Sequence, residues 1–137
     1  MIQKSVLLRC SPIEAFHLFT TRISEWWPLT HRPSKDPHSE LVLEASGRFH
    51  ERAADGRDID LGRVVEWDPP RRLMLDFYMG TSADQPTAVE ILFVPEGEAT
   101  RVTVYHRSKP ESAHLWTRRV GVFENSWQSV LQSLVNW

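Results

Sequence analysis

Two side chains in this sequence combine acid–base chemistry with a predicted inward position. His106 follows Val102 and Val104 at every second residue of a predicted strand, so it should face the interior with them. A neutral imidazole there could anchor a polar ligand group or act as a general base. Glu51 shares a strand face with Phe49 and would be an inward carboxylate. An acid–base couple of Glu51 and His106 is one interpretation, and a hydrogen-bonded core histidine is the simpler one.

A buried glutamate needs a partner, because an isolated buried carboxylate is costly. A hairpin turn at Asp55 and Gly56 would bring Arg63 next to Glu51. We therefore expect a structural ion pair between Glu51 and Arg63 in preference to a catalytic role.

Other motifs favour neither a metal nor a cofactor. His31, Asp36 and His38 match no zinc spacing, and a solvated loop explains them better. Cys10 is the single cysteine, so it forms no internal disulfide, and we expect it to be inert rather than reactive. The sequence has no glycine-rich phosphate loop, no Gly-x-Ser-x-Gly elbow and no Cys-x-x-Cys. We expect no metal and no cofactor.

Six tryptophans in 137 residues are the unusual feature of the composition. Trp67 and Trp127 fit a scaffold role and Trp137 a terminal cap. The remaining three, Trp26, Trp27 and Trp116, should lie near the mouth of any cavity. An aromatic pocket would use Trp27, Trp116 and Phe123, whereas simple core filling is the alternative for each.

The N-terminal third of the chain contains the elements that must position Trp26 and Trp27. Residues 2–9 are typical of a strand. Ser11, Pro12 and Glu14 then supply an N-cap, a proline at the first helical position and an acidic third residue. A second short amphipathic segment, 22–27, ends at Pro28. Residues 30–39 contain two prolines and no large apolar side chain, which predicts a surface loop.

The middle of the chain alternates apolar and polar residues, and the end returns to a helical period. Strands are predicted over 41–44, 47–52, 59–67 and three further alternating runs, joined by links at 80–86 and 95–98. Apolar residues then recur every three or four positions along a long helix, as follows: Trp116, Val120, Phe123, Trp127, Val130 or Leu131, and Leu134. Gly121 inside this helix suggests close packing or a bend.

The overall composition bounds the class of protein. The length predicts one domain over residues 1–137. Sixteen basic against eighteen acidic residues, without blocks, argue against nucleic-acid binding. No apolar run is long enough to cross a membrane, and nothing at the N-terminus is typical of a signal peptide, so we predict a cytoplasmic protein.

This order of elements predicts an α+β fold. A curved antiparallel sheet of about seven strands must cover its apolar face, and the C-terminal helix is the element long enough to do so. The two short helices would close one edge. The interior is then either filled by large side chains or left open as a ligand cavity.

Several segments resemble the SRPBCC or START-like superfamily, and within it the bacterial branch called activator of heat shock protein ninety ATPase homologues. They are Trp-Trp-Pro at 26–28, Gly-Arg-Phe-His-Glu-Arg at 47–52, Gly-x-Val-x-x-Trp-Asp-Pro-Pro-x-Arg-Leu at 62–73, 89–91 with 100–106, and 127–134. The 62–73 stretch is the most specific. The resemblance covers nearly the whole chain and implies the helix-grip fold of birch-pollen-allergen-like proteins.

Two positions depart from the family pattern. Members tend to have Gly-Gly-Arg-Trp-Tyr-Glu where this chain has Ser-Gly-Arg-Phe-His-Glu at 46–51. They also tend to have a Gly-Trp pair where this chain has Ser126 and Trp127. Both changes alter local packing or cavity size more than the fold, so they bear on which ligand fits.

The resemblance implies a small hydrophobic or aromatic ligand bound between the sheet and the helix. We expect it to contact Trp27, Phe49, Glu51, Phe77, His106, Trp116 and Phe123. Two alternatives stay open: a co-chaperone-type interaction protein with a chaperone partner, and a cyclase- or dehydratase-like enzyme. The enzyme would have only His106, Glu51 and Tyr78 or Tyr105 to work with. A homodimer is a further alternative that no exposed apolar stripe requires.

Overall fold

Alternating apolar and polar residues form seven strands, and two helices pack against them, in a computed structural model that describes residues 1–137. The strands are β1 (Ile2–Leu8), β2 (Glu40–Leu43), β3 (Arg48–Arg52), β4 (Asp58–Asp68), β5 (Arg72–Ser82), β6 (Gln85–Glu96) and β7 (Ala99–Arg107). The helices are α1 (Pro12–Phe19) and α2 (Ala113–Val135), and single 3-10 turns span Ile23–Glu25, Leu29–His31 and Pro110–Ser112.

The strands form one antiparallel sheet in the order β1-β7-β6-β5-β4-β3-β2. Every strand from β2 to β7 therefore pairs with its neighbour in sequence, while β1 crosses over to pair with β7. The sheet curls around α2, with pairing irregularities within β3–β4, β4–β5 and β5–β6. This arrangement confirms the predicted helix-grip architecture.

The start of α1 follows the predicted capping chemistry. Ser11 is the N-cap, and its hydroxyl accepts a hydrogen bond from the Glu14 backbone N at 3.3 Å, with Pro12 in the first turn. Phe16 and Phe19 then face the sheet, where Phe16 meets Phe93 at a centroid distance of 5.1 Å. The second predicted helix is reduced to the 3-10 turn Ile23–Glu25, because Pro28 follows within three residues.

Two predicted features differ in the structure. The link expected over 80–86 is a two-residue connection, Ala83 and Asp84, because β5 and β6 continue beyond their apolar alternation. Gly121 marks neither close packing nor a bend-inducing contact, since a Cβ built there meets no atom within 4 Å. No helix of the protein combines the length and the apolar character needed to cross a membrane.

Candidate functional site

A cavity of about 270 Å³ lies between β5, the middle of α2 and the segment that follows Trp27. The sheet contributes Phe77, Met79 and Gly80. The helix contributes Val122, Phe123, Ser126, Trp127 and Val130. The third wall consists of Trp27, Thr30, His31, Arg32, Pro33 and Lys35. The cavity is therefore bordered by the sheet and the helix, with the loop as its third side, and it opens to solvent.

Aromatic rings form the deep part of the cavity. Phe77 and Trp127 lie 5.8 Å apart between ring centroids and tilt by 32°. Trp27 meets Trp127 edge-on at 6.0 Å. Ring faces and edges therefore border part of the space, which suits a flat partner.

Gly80 sets how closely the helix approaches the sheet. Its φ is +79°, a left-handed conformation that glycine adopts without strain. A Cβ at this position would lie 2.6 Å from Cε1 of Phe123. The absence of a side chain on Gly80 thus gives Phe123 its place in the cavity wall.

The two indole N–H groups in the walls already have partners. Trp27 Nε1 donates to the backbone oxygen of His31 at 3.0 Å. Trp127 Nε1 donates to Nδ1 of His106 at 2.9 Å. Both tryptophans therefore offer only their ring carbons to the cavity.

His106 is fully buried and lies behind the cavity wall. Because an indole N–H can only donate, Nδ1 of His106 accepts and its proton resides on Nε2, which donates to Thr87 Oγ1 at 2.7 Å. Burial lowers the pKa of His106 to about 3, so the ring is neutral at pH 7. Phe77, Phe123 and Trp127 separate it from the cavity, and its visible role is to hold Trp127.

Glu51 is also fully buried, as its strand face predicts, but its partner differs from the predicted one. Its carboxylate accepts hydrogen bonds from the backbone N of Ser34 at 3.0 Å and from the Ser34 hydroxyl. The predicted pairing with Arg63 is wrong. Arg63 stands opposite Arg48 in the β3–β4 pair and is exposed, whereas Glu51 stands opposite Ile59. Strand pairing thus turns Arg63 to the outer face of the sheet.

The loop of residues 32–39 is tied to the rest of the protein by polar contacts. The buried Arg32 guanidinium donates to the backbone oxygens of Ser24, Trp27 and Ser39. Asp36 accepts from the backbone N of Ala54 at 2.8 Å and from that of His38. These two hydrogen bonds lower the pKa of Asp36. The loop lacks an apolar anchor, and charged side chains fix its course instead.

Comparisons with known proteins agree with this geometry. The family model described as "Activator of Hsp90 ATPase homolog 1-like protein" matches residues 9–137. The chain belongs to this family. No curated protein matches the sequence.

Solved structures similar to this member of the Hsp90-activator-like family include two at or above 25% identity. CalC, a self-sacrificing resistance protein from Micromonospora echinospora, is 25% identical with a TM-score of 0.73, and the match covers 98% of this chain and 91% of CalC. Txn09, an anthrahydroquino-gamma-pyrone synthase complexed with SUM, is 28% identical with a TM-score of 0.57, over 98% of this chain and 86% of Txn09. A Rhodobacter sphaeroides protein shares the fold at 18% identity and a TM-score of 0.69, over 97% and 88% of the two chains.

The predicted ligand contacts fall into two groups. Trp27, Phe77 and Phe123 line the cavity. The others stand behind it: Phe49 packs on Trp27 at 6.0 Å, Trp116 is half-buried 5.3 Å from the ring of His106, and Glu51 and His106 face other partners. Glu51 and His106 form no hydrogen bond with each other, and no group of three His, Cys, Asp or Glu side chains could hold a metal.

Sequence reasoning missed several lining residues. Val122 and Ser126 lie four residues apart on α2, in line with Val130 of the predicted stripe. This spacing was available in the sequence. Arg32 and Lys35 had no such pattern, because their segment has no period.

Proposed function

We propose that this protein binds a small aromatic compound in the cavity between β5 and α2. Ligand pockets usually begin at about 300 Å³, and this cavity of about 270 Å³ is slightly smaller than that. An apolar cavity of about 150 Å³ holds one benzene ring. The available space therefore suits a compound of about two fused rings.

The observation that carries this proposal is that both indole N–H groups in the cavity wall are already hydrogen-bonded. Trp27 and Trp127 have their N–H groups occupied inside the protein, so they present ring surface without an unpaired donor. A flat apolar compound would gain stacking and burial there without stranding a polar group. If these rings served only to fill the core, no open space would be expected between them.

The geometry favours binding over the enzymatic alternative. Txn09 is a synthase of similar structure, so catalysis in a cavity of this fold is a real alternative. In this chain, however, His106 is engaged with Thr87 and Trp127, and Glu51 with Ser34. Neither Tyr78 nor Tyr105 lines the cavity. The co-chaperone alternative would use a protein-binding surface, whereas the supporting observation is a concave cavity walled by aromatic rings.

A cavity-filling variant tests the proposal. Ser126 is half-buried in the cavity wall, while Ser129, three residues on, is exposed. A thermal-shift screen of one-ring and two-ring aromatic compounds, neutral and charged, would first select binders. We expect Ser126→Phe to weaken their binding at least about tenfold by occupying the space, and the matched control Ser129→Phe to leave it unchanged.

Calorimetric titration of wild type and both variants gives the answer. Unfolding temperatures measured in parallel establish that each variant is folded. Equal affinity in wild type and Ser126→Phe, or no binder among such compounds, would contradict the proposed cavity function.

A further inference from the structure

The basic side chains of the cavity lie on one side. His31, Arg32 and Lys35 line the loop wall, and no aspartate or glutamate lines the cavity at all. The opposite walls, from β5 and α2, are apolar apart from Ser126. A ligand in this space would therefore meet rings at one end and basic side chains at the other.

Arg32 is a buried cation without a contacting carboxylate. Arg32 is only 8% exposed. Its N–H groups donate to the backbone oxygens of Ser24, Trp27 and Ser39, and weakly to the Ser39 hydroxyl. Backbone dipoles satisfy these donors without cancelling the charge. Glu51 acts on Arg32 electrostatically, but its carboxylate is turned toward Ser34. The negative charge of Glu51 therefore partly offsets that of Arg32, and Lys35 is the cation of the cavity wall that makes no such interaction.

The N–H donors of Arg32 are engaged within the protein, so Lys35 would supply the donors for a ligand. It makes no ion pair with an acidic side chain, and its Nζ donates to the backbone oxygen of Thr30. An ammonium group has three N–H donors, so others remain for a ligand. The neighbouring residues hold it in place, because Ser34 is bound to Glu51 and Asp36 to Ala54.

His31 does not add a permanent charge. Burial and the nearby Lys35 both lower its pKa, so its ring is neutral at and above pH 7. The fixed charges bordering the cavity are then Arg32 and Lys35.

We propose that the ligand is an aromatic carboxylate, with its rings against Phe77, Phe123 and Trp127 and its carboxylate facing Lys35. This inference rests on the proposed function and narrows it to one class of compound. A charge-assisted hydrogen bond to an ammonium is shorter and stronger than a neutral one. A neutral compound of the same shape would lose that interaction, and an amine would be repelled.

Two probes of equal shape test the inference, namely naphthalene-2-carboxylate and naphthalene-2-carboxamide. We expect calorimetric titration at pH 8 and low salt to give the carboxylate at least about tenfold higher affinity, because hydrogen bonds to charged groups contribute more than neutral ones. Lys35→Met, which keeps the aliphatic stem, should reduce this preference to less than about threefold. Lys4→Met on β1, away from the cavity, is the matched control and should keep the wild-type preference.

The outcomes separate the two proposals. Equal affinity for both probes in the wild type, or an unchanged preference in Lys35→Met, would overturn the carboxylate inference and leave aromatic binding standing. Absence of binding by both probes would contradict the inference and the proposed function together.

Discussion

His106 links the sheet to the cavity wall through a chain of directed hydrogen bonds. The Trp127 indole donates to Nδ1, Nε2 donates to Thr87, and the Thr87 hydroxyl lies 3.4 Å from the backbone oxygen of Phe77. Each polar atom of this buried chain has a partner, so the network costs little despite its burial. At the residue scale, the histidine is a positioning group for the ring that borders the cavity.

The same network makes His106 a source of acid sensitivity. Its pKa is about 3 in the folded protein and about 6.5 in the unfolded chain. Since the folded-state value is depressed, the stabilisation is complete above pH 6.5 and is lost as the pH falls toward 3. The unfolded chain takes up the proton throughout that window.

We therefore predict a pH-dependent difference between wild type and His106→Asn. Between pH 6 and pH 4 the wild type should lose about 2–3 kcal/mol more free energy of unfolding than the variant, at about 1.4 kcal/mol per pH unit. The variant keeps an acceptor for Trp127 but has no group that titrates there. Urea unfolding at pH 6, 5 and 4 measures both curves, and parallel curves would contradict the assigned role.

The two halves of helix α2 differ in how deeply their side chains are buried. Its buried residues begin only at Phe123 and continue through Trp127, Val130, Leu131 and Leu134. The preceding part, from Ala113 to Val122, is exposed or half-buried. At the element scale, the first half of the helix lies at the surface while the second half is fixed in the core.

Gly121 lies in the surface half of α2, so its substitution tests how loosely that half is packed. Because a Cβ there meets open space, we predict that Gly121→Ala stabilises the protein by about 0.5–1 kcal/mol through helix propensity alone. Thermal unfolding measures the gain. Gly97 also has open space but a φ of +64°, so Gly97→Ala is the matched control and should destabilise. A loss of stability in Gly121→Ala would mean that this part of the helix is packed.

At the scale of the whole molecule, the features that a single local rule determines could be predicted from the sequence. Alternation gave the strands, the Ser11 cap gave α1, and the spacing of Phe123, Trp127 and Leu134 gave the buried face of α2. These features depend on residues close together in sequence, which sequence patterns report well.

The site was less predictable because it depends on distant contacts. Glu51 binds Ser34 across seventeen residues, and Trp127 finds His106 across twenty-one. Neither pairing follows from a period or a motif. The predicted Glu51–Arg63 pair failed for the same reason, since only the strand register decides which face Arg63 occupies.

The indole N–H resonances provide the most direct test of an aromatic ligand in this cavity. Trp27 and Trp127 line it, whereas Trp67 packs on Phe16 and Trp137 is exposed at the C-terminus. Titration with naphthalene-2-carboxylate, followed by two-dimensional ¹H–¹⁵N NMR with assigned indole signals, should shift Trp27 and Trp127 and leave Trp67 and Trp137 in place. Shifts confined to Trp137, or none at saturating probe, would contradict binding between β5 and α2.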